Sequence, residues 1–299
     1  MKSSTSHQGT MNGRIIDGRA VASDVEKGLM PRIDALTQEG RAPHLAVVIV
    51  GADPASQVYV GAKVRACERL GITSTRIDLD ANITMEALES MVMDLNADPT
   101  IDGILVQSPL PEGHDELRIT DAIDPRKDVD GFHPSNLGRL VQGRMDGLIP
   151  CTPAGILDLL GTIDVDLTGA DVAVLGRSRI VGMPMALLLA ARGSDATVTV
   201  LHSKSGDIIE RCRASDVVIA AIGKAEMVRP EWIKPGAVVI DVGITRVPLA
   251  DGVGTRLAGD VHPDVIEVAS HLTPVPGGVG PMTIARLMAN TVLAAERRR

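Results

Sequence analysis

Short runs of β-branched residues that stop at a glycine, alternating with helical stretches, constrain this chain more than any other feature. "LAVVIVG" ends at Gly51, "ADVAVLG" at Gly176, "VVIAAIG" at Gly223 and "AVVIDVG" at Gly243. Such runs are short for helices and too uniformly apolar for strands with one wet face. They read as strands covered on both sides, and their alternation with helices demands parallel sheets with helical crossovers. The cores between these layers must be packed from Val, Ile, Leu, Met and Ala, because 44% of the chain is apolar yet it holds one Tyr, one Phe and one Trp.

The 299 residues suffice for two domains. In the first, Val21, Val25, Leu29, Ile33 and Leu36 recur at spacings of three and four, the mark of an amphipathic helix. "LAVVIVG" follows, then a helix from about Ala55 to Leu70, with Asp53 suited to cap it, Pro54 to its first turn and Gly71 to its stop. "TSTRIDL", "TMEALESMVMDLNAD" and "IDGILVQ" continue as strand, helix and strand. From Pro109 to Pro153, Pro, Gly and charged residues dominate, which predicts loops with short helical pieces; long structured loops of this kind tend to carry function. Regular structure resumes at "PAGILDLL". "ADVAVLG", "MPMALLLAARG", "ATVTVL", "DIIERCRASD", "VVIAAIG" and "AVVIDVG" then alternate as in a doubly wound nucleotide-binding unit. In the last helix, Ile284, Leu287, Met288, Thr291 and Ala295 form one stripe, and this helix is free to return to the first unit.

Several function classes are disfavoured. The formal charge is −8 with no basic block beyond the terminal "ERRR", so a nucleic-acid partner is not expected. "MKSSTSHQGT" lacks an apolar segment and reads as a polar tail rather than a signal peptide, with Met11 available as an alternative start. The longest apolar run is too short to span a membrane. Cys67, Cys151 and Cys212 are scattered, without metal-ligand spacing, which fits reduced thiols in the cytoplasm better than disulfides or a metal centre.

In "VAVLGRSRIVGMPMA" a strand ends at Gly176 and a helix begins near Ile180 or Val181. A phosphate-binding turn suits that context, although Ser178 stands where the common GxGxxG pattern has its second glycine, and a merely tight turn is the alternative. At the end of the next strand, "LHSKSGD" offers His202, Ser203 and Lys204, with no carboxylate before Asp207. With Arg177, these suit a 2′-phosphate and favour NADP over NAD; ordinary solvated turn residues are the alternative.

Tyr59 and Lys63, four apart in one helix, share a face. Either they act on a ligand or the ring packs over the lysine stem. Gln107 ends a strand and Asp130 lies in the Pro- and Gly-rich segment, each also explicable as a loop or turn residue. No Ser-His-Asp set is visible, and His202, the most tempting base, sits in the nucleotide segment.

Taken together, the motifs resemble the bifunctional methylenetetrahydrofolate dehydrogenase/methenyltetrahydrofolate cyclohydrolase family. The resemblance rests on "VGADPASQVYVGAKVRACERLG", "DGILVQSPLP", "DPRKDVDGFHPSNLGRL", "PCTPAGI", "VLGRSRIVGMPMALLL", "ATVTVLHSKS" and "TPVPGGVGPMTIARLMANT", seven motifs in order from Ile15 to the last helix. The departures are small: Ser108 stands where Leu is usual and His262 where an acidic residue is usual. An amino-acid or shikimate-type NADP oxidoreductase shares the two-domain plan but not "KDVDGFHPSNLGRL", and a non-enzymatic nucleotide sensor has no use for the four polar groups together.

The resemblance implies an α/β protein of two domains: an N-terminal catalytic domain over 12–150, completed by 276–299, and a Rossmann-like NADP-binding domain with a doubly wound parallel sheet over 151–275. It implies Lys63, Gln107, Tyr59 and Asp130 as catalytic residues. Substrate contacts would extend to Asp128, Pro276, Gly277 and Gly278, and cofactor contacts would come from Gly176, Arg177, Ser178, Ile180, Val181, His202, Ser203 and Ile244. The expected ligands are tetrahydrofolate derivatives and NADP(H), without metal, and family members usually form homodimers. The expected chemistry is oxidation of 5,10-methylenetetrahydrofolate and hydrolysis of the methenyl product to 10-formyltetrahydrofolate.

Overall fold

The computed structural model describes residues 13–249 and 253–298, so the polar tail, Met11 and the first residue of the expected catalytic span lie outside the described residues. The chain begins with β1 (Arg14–Ile15) and α1 (Gly18–Gln38), whose cap Asp17 accepts the N–H groups of Arg19 and Ala20. Next come β2 (His44–Val50) and α2 (Pro54–Leu70). As the sequence predicts, Asp53 caps α2 by accepting from Ser56 N at 2.7 Å, and Gly71 ends it in the left-handed conformation (φ 76°) that glycine adopts without strain. β3 (Thr73–Leu79), α3 (Met85–Ala97) and β4 (Gly103–Val106) complete a three-stranded parallel sheet in the order β3-β2-β4.

The polar segment that follows contains α4 (Glu116–Ala122) and α5 (Pro134–Val141), and regular structure resumes with α6 (Cys151–Gly161). The second unit runs through β5 (Asp171–Leu175), α7 (Gly182–Ala190), β6 (Thr197–Leu201), α8 (Ile208–Ala214), β7 (Val217–Ala220) and β8 (Val238–Asp241). Beyond them lie an antiparallel pair, β9 (Thr245–Pro248) and β10 (Thr255–Ala258), then β11 (His271–Leu272) and α9 (Val279–Arg297). Its sheet is parallel throughout, in the order β1-β11-β8-β7-β5-β6. Because β6 and β7 flank β5 on opposite sides, the winding reverses at the carboxyl end of β5, where a crevice opens in doubly wound sheets.

One strand crosses the expected boundary. β1 falls within the span assigned to the catalytic domain, yet it forms the edge of the second unit's sheet, with Arg14 opposite His271 and Ile15 opposite Leu272. Two residues are too few to carry a readable pattern, and their place is fixed only by a partner far along the chain. The β9–β10 pair likewise falls outside the expected elements.

Two helices tie the units together. Ala22 of α1 and Val279, Met282 and Ala285 of α9 join a core with Val172, Val174 and Ile240 of the six-stranded sheet. Farther along the same helices, Leu29, Ile33 and Leu36 meet Leu287, Met288 and Val292 against Leu45, Val47 and Ile49 of β2. The last helix thus returns to the first unit, as its apolar stripe predicts. Met288 has no solvent exposure, so Met288→Ala should cost about 2–5 kcal/mol. Val141, at 66% exposure, should tolerate the same change within about 0.5 kcal/mol; urea unfolding of the two variants measures the difference.

Candidate active site

α2 delivers its functional pair by ordinary helical geometry. Val60, Cys67 and Leu70 bury its inner face, and Lys63, one turn beyond Tyr59, is buried with only 9% exposure while Tyr59 keeps 39%. Lys63 Nζ donates to Gln107 Oε1 at 3.0 Å. Gln107 lies just past β4, held in the sheet by its own N–H, which donates to Val48 O at 2.8 Å, while its side-chain Nε2 donates to Ser108 O. A buried amine and the end of the sheet therefore meet at one point.

Asp130 reaches that point through its loop. Lys127 O accepts from Ile104 N at 2.8 Å, and Asp128 bridges to Ile104, so the "KDVDG" segment adds a short extension to the edge of β4. Lys127 Nζ donates to the carbonyls of Leu95, Asn96 and Asp98 at 2.7–2.9 Å, tying the loop to the end of α3; burial, ahead of the nearby Arg298, lowers its pKa. On the other side, Cys151 Sγ and Asn290 Nδ2 both donate to Val129 O, at 3.2 and 2.8 Å. Asp130 keeps part of its surface open. Burial raises its pKa, while the charges of Lys63 and then Arg179 pull it back down.

The nucleotide turn is built from close approach. A Cβ at Gly176 would lie 2.1 Å from Ala221 O and one at Gly182 2.2 Å from Gly176 O, so glycine is required at both. Ser178 Oγ accepts from Val181 N at 3.1 Å and Gly182 N at 3.4 Å, closing the turn on the start of α7. Ile180 and Ile244 stand exposed at the carboxyl ends of β5 and β8. The side chains of Arg177, Ser203 and Lys204 are exposed and have no hydrogen-bond partner among the described residues. His202 Nδ1 accepts from Lys204 N at 3.2 Å, which shapes the turn after β6. The Pro276–Gly278 loop abuts α1, where a Cβ at Gly18 would lie 1.8 Å from Gly278 O.

The sequence of the first unit matches the profile of the tetrahydrofolate dehydrogenase/cyclohydrolase catalytic domain over residues 16–130, and that of the second matches the profile of the NAD(P)-binding domain over 150–299. The chain belongs to the tetrahydrofolate dehydrogenase/cyclohydrolase family. It is 50% identical over 297 residues to Bifunctional protein FolD 2 of Rhizorhabdus wittichii, covering 99% of each chain. It is 51% identical to Bifunctional protein FolD of Chlorobium limicola, over 95% of this chain and 98% of the other. Among solved structures, it is similar to the FolD methylenetetrahydrofolate dehydrogenase/cyclohydrolase of Campylobacter jejuni, with a TM-score of 0.90 and 43% identity over 95% of this chain and 99% of that one. The same TM-score and identity relate it, over 95% and 98%, to the Trypanosoma brucei enzyme complexed with NADP cofactor and inhibitor. As a member of this family, the chain is an enzyme.

Of the expected residues, Lys63 and Gln107 are in direct contact, with Asp130 near enough for its charge to be felt. Asp128 is placed differently. It is buried inside its loop, where Oδ1 accepts from Gly131 N at 3.1 Å and Oδ2 from His133 N at 2.8 Å and Asn136 Nδ2 at 2.9 Å. Its position fits support of Asp130 rather than contact with a ligand. Three further groups were not anticipated from the sequence: Arg179, whose side chain leaves the nucleotide turn for the first unit, and the buried pair Asp241 and Asp260. Asp260 accepts from the N–H groups of Ile222, Gly223 and Lys224, and Asp241 from those of Gly243, Asp260 and Val261, so together they fix the loops after β7 and β8. The signal was present, an Asp closing an otherwise apolar strand in "VVIDVG", but it is indistinguishable from a turn residue until the strands are assembled. Among the described residues no group of His, Cys, Asp and Glu could hold a metal ion, and no helix is long and apolar enough to cross a membrane.

Burial pushes the Asp128 carboxyl up to about 7. Its pKa is thus higher folded than the ~3.9 of an unfolded chain, so the native state holds the extra proton between these values and the stability Asp128 contributes is lost as pH rises through them. Asp128→Ala, which orphans three donors, should cost about 1–3 kcal/mol, and urea unfolding should find the gap from wild type larger at pH 5 than at pH 8.

Proposed function

We propose that this enzyme oxidises 5,10-methylenetetrahydrofolate to the methenyl form with NADP+ and then hydrolyses that product to 10-formyltetrahydrofolate, in one cleft between a catalytic unit (12–150 with 276–299) and a coenzyme unit (151–275) to which β1 also contributes. The observation that carries this reading is the 3.0 Å contact between buried Lys63 and Gln107, just past the carboxyl end of β4.

The turn suits a dinucleotide. Gly176 and Gly182 leave room for backbone to approach phosphate, and the start of α7 presents N–H groups to it. Exposed Arg177, Ser203 and Lys204 suit a 2′-phosphate, and no carboxylate stands at the end of β6 to prefer a free ribose hydroxyl. His202, Ile180, Val181 and Ile244 line the remaining edge. NADP+, when bound, supplies the acceptor for the hydride of the one-carbon bridge. The protein's task in that step is alignment, since the cation left behind is shared by two flanking nitrogens of the folate and no alcohol proton has to be removed.

The hydrolysis asks more of the side chains. Water adds to the bridge carbon and loses one proton to leave a neutral hydroxyl adduct; one C–N bond then breaks as the hydroxyl gives up its proton to form the formyl C=O and the departing nitrogen takes one up, so that one proton is released overall. Lys63 handles this proton traffic. Gln107 fixes the amine by accepting one of its hydrogens, and Asp130 holds the pterin and offsets the lysine charge. Tyr59, more exposed and one turn before Lys63 on the same face of α2, gives the pterin and aminobenzoate a surface to pack on, and the Pro276–Gly278 loop closes the opposite side. We assign the enzyme to the cytoplasm, in keeping with three free, buried cysteines, and to a homodimer, for which the unpaired edge of β6 is available.

Two measurements test this reading. Lys63→Met should lower cyclohydrolase activity by about 10² or more while oxidation falls less; retention within threefold, with circular dichroism unchanged, would leave Lys63 a packing residue. NADP+ should be preferred over NAD+ by at least about tenfold in kcat/KM, or ~1.4 kcal/mol, as read from initial rates with each coenzyme; equal efficiencies would overturn the assignment of Arg177 and Ser203.

A further inference from the structure

Arg179 sits in the middle of the nucleotide turn, between Ser178, which closes that turn, and exposed Ile180. Its side chain leaves the second unit altogether. Nη2 donates to Glu116 Oε2 at 3.0 Å, at the start of α4 in the first unit, and Nη1 lies 3.5 Å from Thr120 Oγ1 one turn later. The pair is about one-third exposed on each side, and no other ion pair among the described residues links the β5–α7 turn to the first unit.

Glu116 is itself engaged at both oxygens. Oε1 accepts from Leu110 N at 3.1 Å, and Leu110 lies three residues beyond Gln107 on the same short loop. One carboxylate therefore joins the loop that carries Gln107 to the turn proposed to receive the coenzyme phosphates. The ties at the back of the cleft run instead through α1, α6 and α9: Thr152 Oγ1 meets Thr283 Oγ1 at 2.9 Å, and Asn290 holds Val129 O and Ile149 O. Leu140 of α5 also joins the core of Met185 and Leu188 of α7, and the Arg179–Glu116 pair adds a one-third-exposed polar tie from the turn itself to the first unit.

We propose that Arg179 and Glu116 are positioning residues for hydride transfer: their ion pair braces the mouth of the cleft and holds the coenzyme turn at a fixed distance from the folate groups of the first unit. This rests on the dehydrogenase reading above and extends it to residues that touch neither reacting centre. The two activities separate the consequences. Oxidation needs both units in register, whereas hydrolysis uses groups of the first unit and runs without coenzyme.

The test uses the full chain with Arg179→Met, Arg179→Lys, Glu116→Gln and the Arg179→Met/Glu116→Gln double variant. Arg179→Met should lower kcat/KM for NADP+-dependent oxidation by about tenfold, less than the roughly 10²-fold that a full 1 Å misplacement can cost. Adding Glu116→Gln should take nothing further, as expected when two residues act as one interaction. Arg179→Lys should recover most of the loss, and in each variant methenyltetrahydrofolate hydrolysis should fall clearly less than oxidation, since Arg179 reaches that chemistry only through its charge at Asp130 and Glu116 only through the Gln107 loop. Spin labels on Glu112→Cys and Lys224→Cys, one on each unit, should report a broader distance distribution in Arg179→Met than with Arg179 present. Oxidation within twofold of wild type in Arg179→Met, losses that add in the double variant, or equal falls in both activities would each overturn the brace. Should the wild-type protein catalyse neither reaction, the functional reading fails on its own, and the label distances still decide: an unchanged distribution overturns the brace and a broadened one upholds it.

Discussion

The packing of α1 against α9 is the contact on which the rest of the structure depends. Each helix is buried in two cores in succession, with Ala22 and Met282 in the second unit and Ile33, Leu36, Leu287 and Met288 in the first. Two sheets of three and six strands could otherwise be joined only by the irregular segment between Pro109 and Pro153 and would be free to swing. Because continuous helices cross the boundary, burial of apolar surface in either unit also fixes the angle between them. Gly155 shows how close this packing is: a Cβ there would lie 2.7 Å from Met282 Cβ.

The same helices reach the site. Asn290 of α9 donates to Val129 O and Ile149 O, and Cys151, at the head of α6, donates to Val129 O as well. Asp130 thus follows a peptide group gripped from the back of the cleft, while Lys127 and Asp128 anchor the residues before it. This explains why so polar a segment is so deeply embedded. The carboxylate proposed to meet the pterin is held by groups other than itself: a buried lysine on carbonyls, a buried aspartate on N–H groups, and an asparagine and a thiol on one carbonyl.

Most of this architecture was legible in the sequence where local rules decide. Asp53, Pro54 and Gly71 delimit α2 by capping chemistry alone, and the β-branched runs ending in glycine mark strands of both sheets. The contact of Lys63 with Gln107 was reachable in part, since helical spacing brings Tyr59 and Lys63 to one face, but the partner comes from a strand 44 residues away and entered through family resemblance. What was illegible shares one cause: dependence on a distant partner. β1 is a strand only because β11 lies beside it; Asp241 and Asp260 are buried acceptors only once two loops converge; and Asp128, two residues before Asp130, is spent on the N–H groups of Gly131, His133 and Asn136 that its loop folds onto it. Alternation along an irregular segment carries no information about which side faces the cleft.

The arrangement also accounts for how one cleft can serve two reactions on one carbon. The groups proposed for hydrolysis lie in the first unit or on the helices that return to it, and the second unit reaches them chiefly through the charge of Arg179 at Asp130. Oxidation is different, because its two partners rest on different sheets and their separation is set by whatever fastens the units. The back of the cleft is held by dispersion contacts spread along α1, α6 and α9, which are stiff but remote from the reacting centre. Over the length of the cleft a small rotation about that hinge becomes a larger displacement at the mouth. The proposed Arg179–Glu116 brace, weak by the standards of core packing, therefore has leverage over alignment that its own contribution to stability would not suggest.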